Sequence, residues 1–309
     1  MLNITRALVI LAAIAVVAAT ILLLKPHRNS FSRGINPPEI VNSSVTSPHE
    51  CLNLSYSRSF AQDRQMDVYV PGANSNGVCI LFIHGGGFIS GTRSHWTSTA
   101  QYFQSLGYTC ATMDYRLAPQ YQYPAPIEDA RLAVSFLRSH AADYRFNPNT
   151  LAVVGSSAGG YLALMLDTLR PSDTVGLSPE MSVQDTRPEA IILECPVSTF
   201  QRMGKYSWVT EYLGVREQTN GQIYRMASPV NQIRGSIGDV LIIHGTIDPL
   251  IPIAQSESLS HKILATGGYS ELVRLPGVGH GFGGGTSTDA QQTANIAINS
   301  FLRRRFFLK

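Results

Sequence analysis

Val153-Val154-Gly155-Ser156-Ser157-Ala158-Gly159-Gly160 is the stretch on which the reading of this chain turns. Thr150 to Val154 is a short apolar, β-branched run, as a strand buried within a parallel sheet requires. Tyr161 to Leu169 is apolar nearly all round, which predicts a helix buried beside that sheet. Between them lies a Gly-x-Ser-x-Gly turn. So tight a strand-to-helix turn holds one hydroxyl, that of Ser157, out at the top of the sheet in a strained backbone conformation. Glycine at 155 and 159 keeps side chains from colliding with the adjoining strand and helix. Ser157 also stands at a helix N-terminus, where unpaired amides and the helix dipole favour developing negative charge. The short motif alone would fit an ordinary small-residue turn. With its flanking strand and helix it points to nucleophilic attack by serine.

Upstream, Val78-Cys79-Ile80-Leu81-Phe82-Ile83 reads as another buried strand, and it breaks into His84-Gly85-Gly86-Gly87-Phe88. Three consecutive glycines leave backbone N–H groups open to close approach by a substrate oxygen. Gly85, Gly86 and Gly87, with the amide of Ala158 after the nucleophile, are the expected oxyanion hole. Taken alone, such a run is a flexible turn; a buried strand before it and a nucleophile turn after it make the pairing specific. His84 precedes the nucleophile in the wrong place for a base and is expected to pin the loop. Phe88 is a candidate for the substrate pocket.

A serine hydroxyl at its own pKa is a poor nucleophile and needs a neighbouring base. In α/β-hydrolases the nucleophile is followed in the chain by Asp or Glu and then by His. The last histidine is His280, within Gly277-Val278-Gly279-His280-Gly281-Phe282 and after a short strand, Glu271 to Leu275. Glycines on either side suit a loop that carries an imidazole over an active site. For the acid, Val240-Leu241-Ile242-Ile243-His244 reads as an apolar strand, and Gly245-Thr246-Ile247-Asp248-Pro249 as the loop after its C-terminal end. Functional groups of open α/β sheets gather at that edge, so Asp248 is the expected acid. Asp-Pro also favours plain turns. Asp239 and Glu271 open their strands and lie at the wrong end. His244 is expected to be a core histidine paired with backbone.

His84-Gly85-Gly86-Gly87-Phe88, Asp114-Tyr115-Arg116-Leu117-Ala118-Pro119, Gly155-Ser156-Ser157-Ala158-Gly159 and His280-Gly281-Phe282 together resemble the hormone-sensitive-lipase-like carboxylesterases. Gly245-Thr246-Ile247-Asp248-Pro249-Leu250-Ile251-Pro252 is more similar to the feruloyl-esterase-like and prolyl-peptidase-like branches. The resemblance covers roughly residues 50 to 305, with the motifs in the family's order. It implies an α/β-hydrolase fold, hydrolysis of short- to medium-chain carboxylic esters, a triad of Ser157, Asp248 and His280, and no cofactor. Among the oxyanion donors it favours Gly86, Gly87 and Ala158, with Gly85 adjacent. An amidase, formamidase or peptidase on the same triad is the second enzymatic reading, and a dead, membrane-tethered binding protein is the third. Gln120 stands where the family often carries Glu, and the short stretch before the first strand implies a reduced N-terminal cap.

The remaining chain organises around this site. Ala7 to Leu24 carries no charge and, at about 1.5 Å per helical residue, is long enough to cross a bilayer core. Arg6 precedes it; Lys25, Pro26, His27 and Arg28 follow. Residues 1–28 are therefore read as a single membrane anchor, facing an undetermined side because both flanks are basic. A signal peptide cleaved near Val17-Ala18-Ala19, leaving a secreted or periplasmic enzyme, is the rival reading. Residues 29–48 read as a linker and 49–309 as one catalytic domain, with a small insertion around 197–236. Leu52 to Ser57 and Met66 to Val70 suggest a leading antiparallel pair, and Thr109 to Met113 and Ala190 to Leu193 further strands. Ile127, Ala130, Val134 and Leu137 form a helical stripe, and Ile253 to Leu264 and Ala290 to Arg304 read as helices. Strands alternating with helices predict a mostly parallel sheet covered on both faces. The insertion holds Phe200, Tyr206, Trp208, Tyr212 and Tyr224. It reads either as a lid, with Trp208 and Tyr212 lining the pocket, or as an excursion whose aromatics pack beneath it.

The formal net charge of +3 is spread along the chain without an aromatic–basic stripe, so no nucleic-acid partner is implied. The four cysteines show no metal spacing, and no metal is expected. The expected partners are a small ester substrate and the membrane. By analogy the terminal helix and an edge strand could pair two subunits into a homodimer.

Overall fold

The computed structural model describes residues 47–282 and 288–308. The anticipated anchor and nearly all of the linker lie outside them. Among the described residues no helix is long and apolar enough to cross a membrane.

Eight strands form one sheet: β1 (His49–Ser55), β2 (Gln65–Val70), β3 (Cys79–Ile83), β4 (Thr109–Met113), β5 (Leu151–Ser156), β6 (Ala190–Glu194), β7 (Asp239–Gly245) and β8 (Ser270–Leu275). Their spatial order is β1-β2-β4-β3-β5-β6-β7-β8. The first two join as an antiparallel pair, and β2 lies antiparallel to β4. From β4 to β8 every pairing is parallel. The central strands are continuous apolar runs because both faces are covered.

Strand alternation divides the core into two layers. Leu81, Ile83, Val153, Leu193 and Ile242 face α2 (Ala125–Ser139), α3 (Ala158–Thr168) and α6 (Ala254–Ala265). Ile80, Phe82, Val154, Ile192 and Ile243 face α1 (Thr97–Ser105) and α7 (Asp289–Arg305). The insertion folds as two short helices, α4 (Ser207–Leu213) and α5 (Gly221–Met226), and a 3-10 turn at Pro229–Asn231.

The Asp114 to Pro119 motif is a structural clamp. The Arg93 side chain and amide both reach the Asp114 carboxylate. The fully buried Asp129 carboxylate accepts from Arg64 Nε at 2.7 Å, the Arg116 amide at 2.8 Å and the Arg116 guanidinium at 2.8 Å. Burial pushes the Asp129 carboxyl up, and the two guanidinium groups pull against that. The clamp ties the chain after β4 to the start of α2, on the flank of the sheet that carries the glycine loop.

Candidate active site

The backbone from β5 into α3 turns at Ser157, whose φ of 55° and ψ of −113° no ordinary side-chain-bearing residue prefers. The conformation is held from both sides. The Ser157 amide donates to the Glu194 carbonyl at 2.8 Å, and the Tyr161 amide donates to the Ser157 carbonyl at 3.0 Å. A Cβ on Gly155 would stand 2.2 Å from the Gly159 carbonyl oxygen, and one on Gly159 would stand 2.1 Å from that of Ile83. Helix and strand thus approach closer than any side chain permits. Ala158 is the first residue of α3, where the helix ladder supplies no acceptor for its amide.

The glycine loop lies directly against this turn. A Cβ on Gly85 would be 3.3 Å from Ser157 Cβ. Gly86 and Gly87 have φ of 106° and 61°, so the loop conformation itself demands glycine. His84 is buried, stacks on Tyr115 at 4.2 Å and donates from Nδ1 to the Gly85 carbonyl at 2.7 Å. Burial lowers its pKa to about 4, so it stays neutral and serves to fix the loop.

His280, from the loop after β8, brings Nε2 within 3.0 Å of Ser157 Oγ. Its Nδ1 lies 2.7 Å from Asp248 Oδ2, in the loop after β7. Nδ1 faces an ionised carboxylate and carries the proton, which leaves Nε2 as acceptor for the serine. The three side chains belong to loops at one edge of the sheet, so the fold brings together residues 123 and 32 positions apart in the chain. Asp248 Oδ1 accepts the amides of Leu250 and Ile251, each at 2.9 Å. Burial works against its charge, yet hydrogen bonds from His244, His280 and the Ile251 amide hold the carboxyl far below its usual range. Burial likewise opposes charge on His280, but Asp248 and Cys195 outweigh it and raise the imidazole well above its ordinary 6.5.

His244 has more to do than the sequence reading allowed. It is fully buried and pairs with backbone as anticipated, through Nε2 to the Ile251 carbonyl at 2.9 Å. The same nitrogen lies 3.2 Å from Asp248 Oδ2, while Ser256 Oγ meets Nδ1 at 2.7 Å. A histidine four residues before the acid, at the end of its strand, was the available signal. Cys195 was also missed. It follows β6 with φ of 39°, is buried, and interacts with the His280 ring.

The three candidate pocket residues separate. Phe88 and Tyr212 are fully buried and stack at 3.9 Å, with Tyr161 and Phe200 around them. Trp208 keeps part of its surface exposed and lies over the glycine loop, with its Cβ 3.2 Å from where a Cβ of Gly87 would be.

Residues 66–263, well over half of the sequence, match the family model described as BD-FAE. The chain belongs to the BD-FAE family. Its curated relatives include esterase LipC of Mycobacterium tuberculosis, 27% identical over 66% of this chain and 52% of LipC. The probable carboxylic ester hydrolase LipM of the same organism is 27% identical over 90% of this chain and 69% of LipM. This BD-FAE chain therefore spans between about half and two thirds of the length of those relatives. Among solved structures, a truncated carbohydrate esterase from gut microbiota superposes with a TM-score of 0.74 at 20% identity, covering 88% of this chain and all of that one. Esterase Est2 of Thermogutta terrifontis gives a TM-score of 0.67 at 23% identity, over 84% of this chain and 92% of Est2. These likenesses, with the sheet order, establish an α/β-hydrolase fold.

Proposed function

We propose that the protein is a serine carboxylesterase acting on small carboxylic esters through an acyl-enzyme. The observation that carries this reading is the hydrogen-bonded chain from Asp248 through His280 to Ser157. In the proposed cycle Ser157 Oγ attacks the ester carbonyl while His280 Nε2 takes its proton. The oxyanion is held by the amides of Gly86, Gly87 and Ala158, with Gly85 shaping the loop. His280 then protonates the departing alcohol. Water, deprotonated by the same nitrogen, releases the acid. Asp248 keeps the imidazole in the productive tautomer and compensates its charge. Relatives named for acetylxylan esterase and ethyl acetate hydrolase activity support a short acyl group. So does Trp208, whose ring crowds the glycine loop.

The deciding experiment compares Ser157→Ala with the parent on p-nitrophenyl acetate and butyrate. Turnover should fall at least ~10³-fold with the fold intact by circular dichroism. Parental rates in the variant, or amide turnover exceeding ester turnover in the parent, would overturn the assignment.

The segment from Ala7 to Leu24 is proposed to tether the enzyme to a membrane. Resistance of the full chain to alkaline carbonate extraction supports the tether, and release into the wash contradicts it. A second copy is proposed, by analogy, to pair along β8 and α7, which Arg304 and Glu271 tie together. A monomer in sedimentation equilibrium would exclude it.

A further inference from the structure

The loop after β6 contributes a thiol that the ester mechanism does not use. Cys195 Sγ, a carboxylate oxygen of Asp248 and a ring nitrogen of His280 all lie within 4.8 Å of one another. The three come from the ends of three neighbouring strands, so no spacing in the sequence could announce them. Cys195 is held in the left-handed region at φ 39°, and its amide donates to the Ile243 carbonyl at 2.9 Å. Its backbone is thereby fixed with the thiol on the imidazole side. Ser156 Oγ lies 4.0 Å from the sulfur.

A thiolate, an imidazole nitrogen and a carboxylate form a donor set suited to tetrahedral zinc and similar thiophilic cations. Bond lengths of about 2.0–2.3 Å place such donors about 3.3–3.8 Å apart. The present cluster needs adjustments of about 1–1.5 Å at most: its widest separation closes and the 2.7 Å contact between Asp248 and His280 opens. The Val278 and Gly279 carbonyls back this loop against Gly245, so the adjustment falls on the His280 side chain and the glycine positions beside it. Among the described residues nothing lies within 4 Å of a Cβ position on Gly277, Gly279 or Gly281.

We propose that Cys195, Asp248 and His280 form an inhibitory site for a thiophilic divalent cation of the Zn²⁺ or Cd²⁺ class. The nitrogen facing Asp248 is Nδ1, so a cation shared with that carboxylate takes Nδ1. Binding displaces the thiol proton to solvent. An imidazolium also gives up its Nδ1 proton to solvent, and a neutral ring shifts its proton, so in either case the imidazole is left with one proton, on Nε2. There it points at Ser157 and can no longer accept the hydroxyl proton. No electron changes hands, and a chelator reverses the step. The inhibition rests on the esterase reading above; the binding does not.

The full chain is titrated with cadmium chloride and followed by the ultraviolet thiolate-to-cadmium charge-transfer absorbance, in the parent and in Cys195→Ser, Cys51→Ser and Ser157→Ala. One equivalent should develop the band in the parent, Cys51→Ser and Ser157→Ala, and not in Cys195→Ser. A band that survives in Cys195→Ser, or is lost in Cys51→Ser, overturns the site. In parallel, zinc chloride should inhibit p-nitrophenyl acetate hydrolysis reversibly with EDTA. The half-inhibiting concentration, scaled to each protein's own rate, should rise at least ~10-fold in Cys195→Ser, since loss of an outer-shell partner already costs that much affinity. Equal inhibition of both overturns the regulatory claim. Absence of ester turnover in every protein defeats the esterase reading and leaves the cadmium band to decide the site. Should Cys195→Ser fail to fold, zinc must still raise the unfolding midpoint of the parent and not that of Cys195→Ala; no rise in the parent overturns the proposal.

Discussion

In the proposed cycle His280 is neutral when it works as a base, and Asp248 is what makes that state harder to reach. A carboxylate 2.7 Å away stabilises the imidazolium and raises its pKa above 6.5, so the active fraction grows as pH climbs through the raised value. Asp248→Asn removes that charge. The ascending limb of kcat/KM against pH should move down toward 6.5, while the maximal rate falls about 10⁴-fold because the amide no longer fixes the tautomer. A pH–rate profile on p-nitrophenyl acetate reads both, and a limb that stays in place removes Asp248 from its assigned role. His244 belongs to the same chemistry at one remove. Its Nε2, shared between Ile251 and Asp248, helps keep the acid ionised inside the fold.

Elements, not single groups, set the strain at the nucleophile. Gly159 lets α3 touch the end of β3 backbone to backbone, and the 2.1 Å approach to the Ile83 carbonyl leaves nothing flexible to yield. Gly159→Ala should therefore cost about 3 kcal/mol or more in urea unfolding. Gly221→Ala, with nothing within 4 Å among the described residues, should change stability by less than ~1 kcal/mol. Equal effects at the two positions would refute the close-packing account. Trp208, at the start of α4, covers the glycine loop without being sealed in the core. Trp208→Ala should shift the p-nitrophenyl ester preference toward longer acyl chains, and an unchanged series in a folded variant would sever α4 from substrate choice.

The pattern of elements was legible where periodicity is strong. Parallel strands such as Cys79–Ile83 are solid apolar runs, and α2 and α7 carry clear stripes. α1 escaped notice because Thr97–Ser105 buries only Thr99, Ala100 and Phe103, too few to stand out against its polar residues. Ser157, Asp248 and His280 could be picked from loops that follow recognisable strands. Cys195 could not, because its meaning depends on β6 lying between β5 and β7, which no local pattern encodes.

At the scale of the molecule, one buried carboxyl links protonation to folding. Glu194 ends β6 in the layer beneath the nucleophile turn and is fully buried. Burial pushes its pKa up to about 8, against a smaller pull from the Gln291 side chain on α7. The folded protein thus keeps a proton that the unfolded chain, near 4.5, gives up. The contribution is full below 4.5 and is lost as pH rises toward about 8. Glu194→Gln should flatten the decline, with an unfolding temperature above that of the parent near pH 8 and close to it near pH 5. A parallel decline in both proteins would assign the pH dependence elsewhere.

All the reactive side chains sit at one rim of the sheet, where parallel strands end. The opposite rim, with Asn149 before β5 and Glu189 before β6, is built from separate turns a full strand length away. Chemistry attached there, whether a surface linkage, a fluorescent label or a grafted binding module, would leave the serine end facing solution. An immobilised form of this protein should be tethered by that far rim.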